Sequence, residues 1–264
     1  FTSNPYKADK AEAYLDALFK EITYVGQGMK ETGIIAESIY IGGGTPTSLD
    51  PEQLDRLLEH VKTSFDLTYV KEFTVEAGRP DTITEDKLKV ISNHGIGRVS
   101  INPQTMKDET LKIIGRHHSV QQTIDAYKLA REVGFDNINM DIILGLPGED
   151  TDDVAYTIER IKELDPDNLT VHSLAIKRAS KLHQWITEHG ISTLNNTDKT
   201  MEIAANGAKE LGMYPYYLYR QKNMSGNFEN VGYAKAGFEG AYNVYIMDET
   251  HTILACGASA VTKL

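Results

Sequence analysis

The segment Ile39-Tyr40-Ile41-Gly42-Gly43-Gly44-Thr45-Pro46-Thr47 runs an apolar strand straight into three glycines and a proline. Lacking Cβ atoms, the glycines can bring their N–H and C=O groups within hydrogen-bonding distance of a small molecule, and positive φ costs them little. Such a loop can also serve only to turn the chain. Four polar features follow in order: Val75-Glu76-Ala77-Gly78-Arg79-Pro80, Asn102-Pro103-Gln104, Ile114-Gly115-Arg116-His117, and Asn139-Met140-Asp141 running on to Gly145-Leu146-Pro147. Glu76 and Asp141 can accept hydrogen bonds from ribose hydroxyls or a ligand ammonium, Gln104 can donate or accept through its amide, and Arg116 is a planar, bidentate partner for a carboxylate. Each taken singly has a plainer role. Strand-end carboxylates often bond loops or cap helices, and Arg116 with His117 and His118 reads equally as a solvated turn before a Ser119 cap. The alignment of all of them after apolar runs is what points to a ligand.

The elements that must position these groups are legible from hydrophobic spacing. Tyr14, Leu15, Leu18, Phe19, Ile22 and Val25 recur at helical intervals, giving an opening helix over residues 8–29. Strand and helix patterns then alternate. Residues 38–41 precede a helix around Leu54, Leu57, Leu58 and Val61, with Asp50 as its cap and Pro51 as its first residue. Residues 72–76 precede a helix near Leu88 and Ile91, and residues 98–102 precede two helical stretches ending near Val133. Residues 137–144 lead to a helix over 151–164, and residues 168–174 to helical segments ending near 211. Strands joined by single amphipathic helices pair in parallel through right-handed crossovers. The strands read as short and mostly apolar, as if both faces were covered. A doubly wound sheet and a β/α barrel both satisfy the pattern, and both collect ligands at the carboxyl ends of the strands.

After Gly212 the texture changes. Residues 214–220, 242–247 and 253–256 read as strands without intervening helices, predicting a small antiparallel extension. The division is therefore a core over residues 1–212 and a substrate-side element over 213–264.

Composition narrows the function. With 264 residues, 41% hydrophobic and 25% charged, and no apolar run near the roughly 18 residues that span a bilayer, the chain reads as globular without a membrane span. A formal net charge of −11 argues against nucleic acid as partner, which calls for a basic face. The single cysteine, Cys256, allows no disulfide and no CxxC, which fits a reducing, cytoplasmic setting, and its apolar surroundings predict an inert buried thiol. No histidine spacing suits a protein-only zinc site. His172 reads either as a pocket residue or as a satisfied core histidine. Lys177-Arg178 suits acidic substrate groups or a solvated helix start, Tyr214, Tyr216, Tyr217 and Tyr219 suit a flat ligand or plain packing, and Trp185 suits the core.

The ordered set GGGTPT, VEAGRPDTIT, INPQT, IIGRHHS, MDIILGLPGE and VHSLAIKRAS resembles the oxygen-independent coproporphyrinogen III oxidase group of radical S-adenosylmethionine (SAM) enzymes, over essentially the whole chain. The tail YLYRQKNMSGNFENVGYAKAG resembles the branch called coproporphyrinogen dehydrogenase. The resemblance implies an α/β fold, a partial (β/α) barrel of the radical SAM type, missing its first strand and carrying the C-terminal β extension. It implies SAM contacts at Gly43, Gly44 and Thr45 for the methionine group, at Glu76 on the next strand, at Gln104, Arg116 and Asp141, and at the Ala175 backbone. It implies a 4Fe-4S cluster, an electron donor for it, and one-electron cleavage of SAM to a radical that decarboxylates the propionates of coproporphyrinogen III to vinyl groups, giving protoporphyrinogen IX on the route to haem. The group holds its cluster with a CxxxCxxC loop, and this chain has no cysteine before Cys256. Phe1-Thr2-Ser3-Asn4-Pro5, without an initiator methionine, resembles the stretch just past that loop, so the chain reads as a fragment of a longer parent, inactive as given.

Two other readings stay open. One is a haem or tetrapyrrole carrier without oxidase activity, motivated by the tyrosine-rich tail and His172. The other is an ordinary β/α enzyme with Glu76 and Asp141 as acid and base, acting on a phosphate or sugar ligand.

Overall fold

The computed structural model describes residues 8–175, 195–220, 226 and 228–264. Helix α1 (Ala8–Thr32) is followed by β1 (Ser38–Ile41), α2 (Pro51–Ser64), β2 (Glu72–Glu76), α3 (Glu85–Asn93), β3 (Arg98–Ser100), α4 (Asp108–Ile113) and α5 (Val120–Val133). Then come β4 (Asn137–Leu144), α6 (Thr151–Leu164), β5 (Asn168–Ser173), α7 (Asp198–Glu210), β6 (Tyr214–Tyr219), β7 (Asn230–Ala234) and α8 (Ala241–Asp248). The caps follow local chemistry. Asp50 and Gln53 close a capping box on α2 with Pro51 in its first turn, Ser119 and Gln122 do the same on α5, and Gly134 ends α5 in the left-handed region at φ 109°.

One seven-stranded sheet runs in the order β1-β2-β3-β4-β5-β7-β6, with β1 to β5 parallel and β7 antiparallel to both β5 and β6. That order decides between the two architectures. A doubly wound sheet reverses direction at a switch point, whereas strands laid down in sequence through right-handed crossovers put every helix on one side and curl the sheet. Helix α8 spans the curl: Tyr242 stacks on Tyr40 of β1 at 4.4 Å between ring centroids, while Asn243 Nδ2 donates to the Tyr216 hydroxyl of β6 at 2.9 Å.

The register sorts side chains onto two faces. Ile41, Val75, Val99, Ile138, Met140, Leu169 and Val171 point to the convex side and pack against Leu54, Leu58, Leu88, Ile91, Tyr127 and Ile158 of the helices. Tyr40, Glu76, Ser100, Asn139, Asp141, Thr170 and His172 share the concave side. The strands are thus apolar on one face only, not on both as the sequence suggested. The concave polar groups are reconciled by bonding to one another: Asn139 Nδ2 donates to Ser100 Oγ at 2.9 Å, Thr170 Oγ1 donates to Asn139 Oδ1 at 3.1 Å, and Asn168 Nδ2 donates to Asn137 Oδ1 at 2.8 Å.

The C-terminal region departs from expectation in two places. Residues 242–247 form helix α8, not a strand, and the run 253–256 contributes only an isolated bridge between Ile253 and Lys263. Strand β7, which supplies the antiparallel partner instead, was hidden by its own composition, since Asn230 and Gly232 are poor strand formers. Gly232 is needed there because a Cβ would run into the Tyr217 ring on β6. Residues 1–5, Lys177, Arg178, Trp185 and residues 221–225 of the tail motif lie outside the described residues.

Candidate ligand site at the strand ends

The glycine loop leaves β1 at the carboxyl edge of the sheet. A Cβ on Gly42 would lie 2.8 Å from Glu76 Oε2 and would overlap the Tyr40 ring, so only glycine lets β2's carboxylate approach. Gly43 has φ +97°, and neither it nor Gly44 has any atom within 4 Å of where a Cβ would stand. The Cβ side of both therefore faces open space. Thr45 Oγ1 donates to Gly44 O at 2.7 Å, and the loop is pinned behind by Thr47 Oγ1 against Thr82 Oγ1 at 2.7 Å and by Lys87 Nζ donating to Thr47 O at 2.6 Å.

Glu76 ends β2 beside that loop. Burial and the neighbouring Asp141 push its carboxyl up from an ordinary 4.5 to about 7, against the pull of the Gly43 N–H, the Tyr40 hydroxyl and Arg116. Asp141 is buried too, which raises its carboxyl, but His172, Asn139 and Thr170 more than offset this and hold it below the ordinary range. Two carboxyls within each other's field are thus driven apart, one protonated near neutrality and one ionised. Asn139 Nδ2 donates to Asp141 Oδ1 at 2.7 Å, and His172 Nε2 stands 3.6 Å from Asp141 Oδ2.

Gln104 sits in the left-handed region at φ 68°, an uncommon conformation for a residue with a side chain. Its backbone is clamped there, the N–H donating to Asp141 O at 2.9 Å and the C=O accepting from Ile143 N–H at 2.8 Å. Its side chain is buried, 6% exposed, and its amide has no partner among the described residues. Arg116 is half-buried, and its guanidinium likewise makes no hydrogen bond or ion pair among the described residues. Burial and the nearby Arg79 lower its affinity for a proton, while Asp141, Asp81 and Glu76 favour the charge. Arg79 is already occupied by Asp81, Nη2 donating to Oδ2 at 2.6 Å.

The structure brings the Gly43 N–H, Glu76, Asp141 and Arg116 within one another's field, and Gln104 joins them through its backbone bond to Asp141. Ala175 lies just beyond β5, half-buried. His118 is not a solvated turn residue: it is buried, Nε2 facing Pro103 O at 3.3 Å, and burial lowers its proton affinity. Cys256 is half-buried against the Ile22, Leu57 and Val61 cluster on the convex side, and burial followed by Glu21 raises its thiol. The concave groups Tyr40, Ser100, Asn139 and Thr170 went unremarked in the sequence, although the alternation in Asn137-Ile138-Asn139-Met140-Asp141 marks a strand with one polar face.

Residues 11–161, more than half of the chain, match the Radical SAM superfamily, and the chain belongs to it. It is 46% identical over 258 residues to the oxygen-independent coproporphyrinogen-III oxidase-like protein HemZ of Bacillus subtilis, covering 97% of this chain and 52% of that protein. It is 30% identical over 259 residues to the heme chaperone HemW of Bacillus subtilis, covering 96% of this chain and 64% of that one. Among solved structures, coproporphyrinogen III oxidase HemN from Escherichia coli superposes with a TM-score of 0.74 at 22% identity, covering 98% of this chain and 59% of that chain, which shows the curled partial-barrel fold. The chain spans about half to two thirds of the length of these relatives. No helix among the described residues is long and apolar enough to cross a membrane.

The donor set bears on the two cofactors of the superfamily differently. A glycine loop, an amide and a guanidinium without a partner among the described residues, and two carboxyls suit an amino-acid and ribose ligand such as SAM. A 4Fe-4S cluster does not fit: the chain has one cysteine, and no group of three or more His, Cys, Asp or Glu among the described residues is placed to hold a metal.

Proposed function

We propose that this chain is the SAM-binding core, residues 1–212, with a substrate-side element, residues 213–264, of a radical SAM oxidoreductase that converts the propionates of coproporphyrinogen III to vinyl groups, giving protoporphyrinogen IX. The resemblance to HemZ supports the substrate class. SAM, when bound and reductively cleaved, supplies a carbon-centred radical competent to abstract hydrogen from a propionate side chain. The residues of this chain bind and orient. Gly43, Gly44 and Thr45 offer main-chain groups to the methionine moiety, Arg116 takes its carboxylate, and Glu76 its ammonium. Asp141 and Gln104 take the ribose hydroxyls, and the Ala175 backbone closes the far side. The thiolates of a cluster and an electron donor must come from elsewhere, and this chain alone is expected to be inactive.

The observation carrying this reading is the pair of donors without a partner among the described residues, the Arg116 guanidinium and the Gln104 amide, beside the glycine loop. Calorimetric titration with S-adenosylhomocysteine tests it without any redox chemistry. The intact protein is expected to bind, and R116A to bind about tenfold or more weakly through loss of a charge-assisted pair. Absence of binding to the wild type refutes the assignment. A haem carrier is the second reading, favoured by the likeness to the heme chaperone HemW. It predicts a Soret shift on haem titration, whereas the oxidoreductase reading predicts none at stoichiometric haem.

A further inference from the structure

His172 projects from β5 onto the concave face, one strand over from Asp141. Its two ring nitrogens meet partners of opposite character. Nε2 stands 3.6 Å from Asp141 Oδ2, and Nδ1 stands 3.4 Å from the Tyr219 hydroxyl on β6. A carboxylate only accepts, so the nitrogen facing Asp141 carries a proton, and in the tautomer bearing that proton alone Nδ1 is left to accept from the tyrosine. The tautomer is therefore set by the strand order, and the chain Tyr219 O–H to His172 to Asp141 has one direction. On its other oxygen Asp141 is gripped by Asn139 at 2.7 Å. Held from both sides, the carboxylate cannot rotate freely.

We infer that His172 is a positioning residue: supported by Tyr219, it fixes the Asp141 carboxylate for the hydroxyl groups of an adenosyl ligand. This rests on the SAM reading above, and it adds a residue and a strand, β6, to the apparatus. It also explains why an antiparallel strand is appended next to β7 at the edge of a parallel sheet: β6 brings in the phenol that orients the imidazole. The same geometry weighs against His172 as a haem ligand, since both nitrogens already face protein groups.

The test is a double-mutant cycle read by S-adenosylhomocysteine affinity in the intact protein, with thermal midpoints recorded for each variant. H172F keeps the ring shape without its nitrogens and is expected to weaken binding about tenfold, while the same change in a D141N background costs less than about twofold, because the histidine acts through the aspartate. An equal loss in both backgrounds, or H172F binding like wild type, overturns the inference. Should D141N bind too weakly to read, H172Q decides: a glutamine amide that restores most of the affinity supports the positioning role, and a loss equal to that of H172F overturns it. If H172F fails to fold, Y219F replaces it and must show a smaller, Asp141-dependent loss; no loss overturns the inference. Wild-type protein that does not bind S-adenosylhomocysteine removes the SAM reading and this inference with it, a result distinct from wild-type and H172F proteins that bind alike.

Discussion

Glu76 carries its surroundings in its ionisation. Its carboxyl moves from 4.5 to about 7, because burial and Asp141 both oppose the charge. Between those values the folded chain holds a proton that the unfolded chain releases, so stability is greatest below about 4.5 and falls as pH rises through about 7. A 2.5-unit shift corresponds to on the order of 3 kcal/mol. E76Q, whose amide oxygen can still accept from Gly43 and Tyr40, is expected to abolish that slope and to exceed wild type in stability at pH 8 while matching it near pH 4.5. Denaturant titrations at the two pH values measure this, and parallel pH profiles for the two proteins contradict it. Ligand binding should run the other way. If the Glu76 carboxylate takes the ammonium of SAM, affinity for S-adenosylhomocysteine rises between pH 6 and 8 in wild type and stays flat in E76Q. Glu76, Gln104, Arg116 and Asp141 were legible in the sequence because each stands after an apolar run or a glycine turn. The left-handed backbone of Gln104 was not, since it arises from pairing with β4. Nor was the role of Tyr40, whose hydroxyl reaches Glu76 at 3.4 Å only once β1 and β2 are in register.

At the scale of elements, the parallel strands and their capped helices followed from local signals that agree with one another: period, cap and turn residue. The tyrosine-rich C-terminal part did not, because its residues answer to partners far away in sequence. Tyr245 donates to Glu37 at 3.0 Å, and Tyr242 lies on Tyr40, so the helix over 242–247 is held by contacts that its own local sequence does not carry. A second non-local constraint lies between α6 and α7. Gly207 is buried in α7, and a Cβ there would collide with Ile158 Cγ2, a β-branched side chain that cannot swing away. Helix propensity favours alanine over glycine by about 1 kcal/mol, whereas overpacking costs about 1–3 kcal/mol. The steric effect should win. G207A is expected to be less stable than wild type by about 1 kcal/mol, measured by urea denaturation, and a stabilised variant shows that α6 and α7 are not pressed together there.

Taken whole, the molecule is a sheet whose sequential strand order curls it, placing apolar side chains outside under helices and polar ones inside, with the candidate ligand site at the carboxyl edge. Sequence periodicity gave the alternation of elements but left the curl open, because strand order is a property of pairing and not of any one strand. Every group proposed to touch SAM comes from this chain, whereas its lone thiol, Cys256, lies against α1 and α2 on the convex side. Adenosyl binding by this chain should therefore be independent of iron. At a ligand concentration about 100-fold above Kd, linkage adds about 2.7 kcal/mol of stability. For a chain of this size each kcal/mol moves Tm by about 2–4 °C. S-adenosylhomocysteine is expected to raise Tm by about 5–10 °C, equally in iron-free buffer with a chelator and in buffer with ferrous iron and sulfide. A shift that appears only when iron is present would mean that the site is not assembled by these residues alone.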